Sequence, residues 1–153
     1  MSFVAIARPR PLVLGDLIAL NRGRAAHAVR DVLLVVGAAG FVGALAQISI
    51  HLSFTPVPIT GQTLGVLLAG TALGWRRAAA SMGLYAIAGL AGVPWFAGAS
   101  SGYASASFGY IVGFFFAATA CGYLAETGAD RSVLRSLPAM IVGEIIIYVF
   151  GLV

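Results

Sequence analysis

The chain is 153 residues long, 60% hydrophobic and only 9% charged, with a mean hydropathy of +0.99. A water-soluble domain keeps about a quarter of its residues charged, so the apolar surplus here must face lipid and a soluble enzyme is excluded. The formal charge of +4 comes from nine arginines and no lysine against five acids, and in so apolar a chain that excess is a topology signal, not a nucleic-acid footprint.

The first stretch, 1–32, is expected to be a cytoplasmic lead-in. Arg8 and Arg10 precede an apolar run at 12–20, and Ala26-His27-Ala28 imitates a signal-peptide cleavage site. Asp16 interrupts that run, however, and Arg22 and Arg24 stand just before the supposed cut, so a secretory leader is rejected. The arginines of this segment suit anionic lipid heads.

Residues 33–50 form a nearly continuous apolar run, long enough to cross a bilayer as a helix of about 17–25 residues. It ends at His51 to Pro58, where Pro56 and Pro58 remove two backbone donors and bias Thr55 and Val57 away from helix. A second apolar stretch, 60–74, is stopped by Trp75-Arg76-Arg77. The third, 78–93, is closed by Pro94. A loop at 95–107 is rich in Gly, Ala and Ser and carries Trp95, Phe96 and Tyr103. A fourth span follows at 108–125, then a more polar connection at 126–137, and a fifth apolar run from near Pro138 to residue 153.

Arginine placement orients these spans. Arg8, Arg10, Arg22, Arg24 and Arg30 precede the first; Arg76 and Arg77 separate the second and third; Arg131 and Arg135 separate the fourth and fifth. The connections 51–59 and 94–107 contain none. If five spans alternate, every arginine falls on one side, which the positive-inside rule makes cytoplasmic. The N-terminus is therefore expected inside. Helix contacts in lipid lean on small residues, and the first span carries Ala39-x-x-x-Gly43 beside Gly40-x-x-x-Ala44.

Two features look like a binding site more than packing. One is Pro56-Val57-Pro58-Ile59-Thr60-Gly61-Gln62-Thr63, an extended segment entering a helix, with donors and acceptors on Thr60, Gln62 and Thr63; its plainer reading is a turn with a helix cap at Thr60. The other is the aromatic outer loop, able to lid an amphiphilic ligand or simply to anchor at the interface through Trp95 and Tyr103. Glu144 is the one acid inside a predicted span, and an intramembrane carboxylate is a functional candidate by default. It is placed to serve a polar ligand, to pair with Tyr148 one turn on, or to stay protonated against a backbone carbonyl. Gln47 reads as helix–helix glue. The single Cys121 allows no intramolecular disulfide, no Cys/His cluster has metal spacing, and no phosphate loop or catalytic constellation is present. Nothing suggests that the chain hydrolyses ATP.

The run from Pro56 through Thr63 to Leu64-Gly65-Val66-Leu67-Leu68-Ala69-Gly70 resembles the characteristic element of the BioY family, the biotin-specific S components of energy-coupling factor (ECF) transporters. Gly74-Trp75-Arg76-Arg77, the stretch Gly89-Leu90-Ala91-Gly92-Val93-Pro94-Trp95-Phe96-Ala97-Gly98 and Phe108-Gly109-Tyr110 are similar too, and the resemblance runs from about Leu33 onward.

What the resemblance implies is an all-α, polytopic transmembrane bundle of six helices, about five of them present here. Residues 33–153 would then be a C-terminally incomplete domain, because the family's sixth helix opens on a Gly-Asp motif with a lysine nearby and this chain has no lysine. The resemblance further implies biotin as transported ligand, with no cofactor. Its implied partners are a transmembrane coupling subunit and two ATPases that topple the S component. Ala39 and Gly43 would be the coupling face. The ligand site would draw on Thr60, Gln62, Tyr85, Trp95, Phe96, Gly98, Tyr110, Glu144 and Tyr148. Aromatic walls with a few hydrogen-bonding groups suit an apolar bicycle with two polar ends. The alternative is a small stand-alone channel or proton-coupled carrier with Glu144 as relay, which calls for further acids or histidines in the spans.

Overall fold

Each of the five apolar runs folds as a helix in a computed structural model, which describes residues 12–17, 23–50, 53–54, 57–103, 108–128 and 133–152. A single turn, α1 (Leu14–Leu17), is followed by α2 (Arg24–Ala46) and by the strands β1 (Ser49–Ile50) and β2 (Ile59–Thr60). Helices α3 (Gln62–Leu73), α4 (Trp75–Leu90), α5 (Phe108–Glu126) and α6 (Val133–Gly151) complete the order, with a 3-10 turn at Ala97–Ala99. The all-α expectation holds, apart from the two-residue strands, which pair antiparallel with Ser49 opposite Thr60 and Ile50 opposite Ile59.

Three boundaries differ from the hydropathy reading. Helix α2 starts at Arg24, so a division at residue 32 falls inside it. Its first turns are polar, and hydropathy does not register polar residues that are nonetheless helical. Arg30 and Asp31 pair there at 2.9 Å. Trp75-Arg76-Arg77 is no loop but the first turn of α4, and the break between α3 and α4 is Gly74 alone, at φ +79° and ψ 165°. That left-handed φ favours glycine, and a Cβ there would lie 2.6 Å from Glu126 Oε1. Helix α6 begins at Val133 and carries Pro138 within it; the proline removes one helix bond without ending the helix. The arginine sites at 8, 10, 22 and 131 lie outside the described residues, as do His51, Leu52, Thr55 and Pro56.

Lipid-like packing explains the assembly. Helix α5 sits against α3, α4 and α6, and the approach is set by small residues. A Cβ on Gly113 would lie 3.0 Å from the Ile147 backbone, and one on Gly122 would lie 2.5 Å from the Trp75 nitrogen. The interior so formed includes Val42, Val66, Met82, Tyr85, Phe96, Ile111, Phe114 and Ile147, all buried. The outside is as apolar as the inside: Leu33, Val36, Ile87, Ile145 and Val149 are exposed. In water such a continuous surface would aggregate; in a bilayer it is the solvent-matched face. Stretches Ala25–Ala46 and Phe108–Glu126 are long and apolar enough to cross a membrane. Twelve-residue α3 is about 18 Å long against a core of about 30 Å, and the extended segment 57–61 continues it toward the end where the β ladder lies.

At the opposite end, Arg77 ties three elements together. Its guanidinium meets Asp16 of α1 at 2.7 Å and Asp31 of α2 at 3.1 Å. Val13 is buried beside this ion-pair cluster.

Candidate functional site

The β ladder fixes the mouth of the site. Pairing of Thr60 with Ser49, and the bond from Gly61 N–H to the Ile48 carbonyl (3.1 Å), bring the start of α3 against the end of α2. The cap position is Gly61, so Thr60 does not cap the helix: its hydroxyl donates instead to Gln62 Oε1 at 3.0 Å. Gln62 is only 3% exposed, and its Nε2 donates to Tyr85 Oη at 2.7 Å. Tyr85 Oη in turn donates to the Trp95 carbonyl at 2.9 Å, while Trp95 Nε1 donates back to the Tyr85 carbonyl at 3.0 Å. One continuous chain of hydrogen bonds therefore runs from Thr60 through Gln62 and Tyr85 to the outer loop.

Beside Gln62 lies a cavity of about 190 Å³. The extended segment forms one wall with Val57, Pro58, Ile59 and Thr60, and α3 adds Gln62 and Thr63. Helices α5 and α6 supply Tyr110, Ile111, Phe114, Ile147 and Tyr148. Close α5–α6 contact places the aromatic pair: the Tyr110 ring lies over Gly151, and Tyr110 and Tyr148 meet edge to face at 5.9 Å. The volume is below the ~300–1,000 Å³ of drug-sized ligands, which suits a compact ligand or one whose tail protrudes. Apolar walls around one amide, two threonine hydroxyls and two phenol hydroxyls can hold a small, flat, hydrogen-bonding group.

Of the nine ligand-site residues expected from sequence, Thr60, Gln62, Tyr110 and Tyr148 come together on this cavity. Tyr85 is fully buried behind Gln62 and reaches the cavity only through it. Trp95 stacks on Tyr85 with centroids 5.0 Å apart. Phe96 does not face a ligand: it is fully buried, its ring seated on Gly89 where any Cβ would collide with it. Gly98 is exposed at φ +65° and serves the turn. Glu144 lies on a shallow groove of α6 with Ile141, Ile145 and Val149, away from Gln62 though sharing Tyr148. Over residues 95–103 the loop is tied down as a plug, because Phe96 N–H bonds the Ser100 carbonyl and Gly102 N–H the Gly89 carbonyl. Gln47 helps hold it, donating to the Gly43 carbonyl at 3.1 Å and lying 3.4 Å from the Trp95 and Phe96 carbonyls.

The two residues expected on the coupling face are covered by this chain itself. Ala39 has no exposed surface, and Gly43 is buried under the Trp95 ring, 3.3 Å from the position of a Cβ. Both small residues pack inward within this chain. In the later part of α2, Gly37, Gly40 and Ala44 are exposed small residues, and nothing lies within 4 Å of a Cβ on either glycine. Sequence reasoning also missed Ile111, Phe114 and Ile147 as cavity walls, since nothing sets them apart from other apolar residues on apolar helices.

Comparison with known proteins places this geometry. Residues 18–153 match the BioY family. The biotin transporter BioY of Rhizobium etli is 37% identical over 134 residues, covering 80% of this chain and 72% of that protein. Biotin transporter BioY2 of Lactococcus lactis subsp. cremoris is 34% identical over 122 residues, covering 78% and 65%. The crystal structure of the S-component for biotin from an ECF-type ABC transporter superposes with a TM-score of 0.76 at 25% identity, covering 85% of this chain and 73% of that one.

Proposed function

The chain belongs to the BioY family, and from that premise we propose that it is the biotin-binding membrane subunit of an ECF transporter, with its ligand held in the cavity beside Gln62. The observation that carries this reading is the buried amide of Gln62 at the wall of an aromatic cavity. Biotin presents a ureido group with one acceptor and two donors on a compact bicycle. Gln62, Thr60 and Thr63 offer complementary groups, and Tyr110, Phe114 and Tyr148 offer ring surface. Among the described residues none that lines the cavity is cationic, so the carboxylate tail is assigned to the mouth, by the segment 57–60. Calorimetry on the purified chain is expected to show biotin binding and no heat with thiamine. Absence of a biotin signal would overturn the reading.

Multi-pass topology with the N-terminus inside is the second part of the proposal, supported by the one-sided arginines. The β ladder and the loop at 91–103 then face outward, and the Arg77 ion-pair cluster faces the cytoplasm. Tyr103 is 79% exposed and Thr127 is exposed, whereas native Cys121 is buried. In intact cells, Tyr103→Cys is expected to react with an impermeant maleimide and Thr127→Cys only after permeabilisation. The reverse pattern would invert the orientation.

Partners follow in kind: a transmembrane coupling subunit and ATPases that supply the energy. With Ala39 and Gly43 turned inward, the face assigned to the coupling subunit is Gly37, Gly40 and Ala44.

A further inference from the structure

The hydrogen-bond chain behind the cavity has a direction, and its innermost member sets it. The Trp95 carbonyl can only accept, so across the 2.9 Å between the two oxygens the proton belongs to Tyr85. With its one proton committed there, the phenol oxygen can only accept from Gln62, and the amide atom 2.7 Å away must be the nitrogen, Nε2. Oε1 then stands at the other end of the amide, where it accepts from the Thr60 hydroxyl at 3.0 Å. Thr60 has thereby committed its only side-chain proton as well.

Placement decides which end of the chain a ligand meets. Tyr85 is fully buried and forms no part of the cavity wall, whereas Thr60 and Gln62 both line it. The amide therefore turns its nitrogen to the buried phenol and its oxygen toward Thr60 at the wall. The inner end is held from two directions: Trp95 Nε1 donates back to the Tyr85 carbonyl at 3.0 Å, and the two rings stack with centroids 5.0 Å apart. At the Thr60 corner a ligand meets the spare lone pairs of Thr60 Oγ1 and Gln62 Oε1, with no hydroxyl proton between them.

We propose that Tyr85 and the Trp95 carbonyl are positioning groups that hold Thr60 and Gln62 Oε1 as an acceptor pair, so that the corner selects cyclic ureas and lactams, which bring an N–H, over isosteres with an oxygen in its place. The proposal rests on the reading of the cavity as the biotin site. There a ureido N–H of biotin meets the pair. A ring oxygen in that position sets lone pairs against lone pairs and leaves buried acceptors unmatched, which is costly in a low-dielectric cavity.

The test is calorimetry on the full chain with biotin and with the two carbamate analogues in which one or the other ureido N–H is replaced by oxygen. Wild type is expected to bind the carbamate whose ring oxygen faces Thr60 roughly 5- to 150-fold more weakly than biotin. Tyr85→Phe removes the acceptor for Nε2, so the amide can turn over, bring an N–H to Thr60 and release the hydroxyl proton to the cavity. The ratio of affinities for biotin and that carbamate should then shrink toward one, whereas a purely structural loss would weaken both alike and leave the ratio unchanged. Thr60→Val, isosteric and outside the buried core, should shrink the same ratio and decides the matter if the Tyr85 variant does not fold. Equal binding of biotin and both carbamates by wild type overturns the proposal while leaving the cavity assigned to biotin, as does a wild-type ratio kept by either variant. Absence of biotin binding by wild type overturns the reading of the cavity and this proposal with it.

Discussion

Gln62→Leu is expected to weaken biotin binding by roughly 5- to 150-fold while leaving the helices folded. The amide is the buried polar group shared by the cavity and the hydrogen-bond chain: Oε1 accepts from Thr60 and Nε2 donates to Tyr85. Leucine keeps the side-chain bulk but presents nothing to a ureido group, which then enters the cavity with an unmet donor or acceptor. Leaving such a group unsatisfied costs about 1–3 kcal/mol, and each 1.4 kcal/mol is about tenfold in affinity. The fold should survive because Tyr85 Oη keeps its bond to the Trp95 carbonyl at 2.9 Å and Trp95 Nε1 keeps its own at 3.0 Å. Tyr85→Phe should act in the same direction by a different route: it frees Nε2 from its partner and lets the amide turn. Calorimetry on both variants, with circular dichroism as the check on folding, reads the result. Wild-type affinity in Gln62→Leu would remove Gln62 from the site.

Much of this architecture was legible because a bilayer imposes simple rules. Apolar runs broken by arginine, proline or glycine marked the five long helices, since unpaired backbone cannot face lipid. What hydropathy could not mark were polar residues that are nonetheless helical, as in the first turns of α2 and in Trp75-Arg76-Arg77. A single left-handed glycine, Gly74, does the work expected of a loop. At the site, Thr60 and Gln62 stood out as polar residues in an apolar setting, whereas Tyr110 and Tyr148 came from the family resemblance; all four line the cavity. Trp95 and Phe96 looked the same on paper, yet their rings pack against Tyr85 and, for Phe96, on Gly89. An aromatic residue in a loop gives no indication of which side it turns to until its neighbours are placed.

Helix α2 poses the same difficulty most sharply, and the largest contrast in behaviour is expected there. From Val32 on it is apolar on all sides, so periodicity does not distinguish an inward face from a lipid-facing one. Ala39 and Gly43 lie one residue, or about 100° of rotation, from Gly40 and Ala44. The two pairs should therefore respond oppositely to bulk. Gly40→Leu adds a side chain where nothing lies within 4 Å, so folding and biotin affinity should stay as in wild type. Co-purification of the coupling subunit should be lost, since close approach of two helices in lipid depends on small residues. Gly43→Leu drives bulk into the Trp95 ring, 3.3 Å from the Cβ position. It should displace Trp95, break its reciprocal bonds with Tyr85, and destabilise the chain by about 1–3 kcal/mol as overpacking does. Biotin binding should fall with it. Thermal unfolding in detergent, calorimetry and co-purification, measured on both variants, separate the faces. If Gly40→Leu still carries the coupling subunit through purification, the outward face of α2 is not where it docks. If Gly43→Leu alone loses it, with stability and biotin affinity intact, the inward packing of Gly43 is wrong.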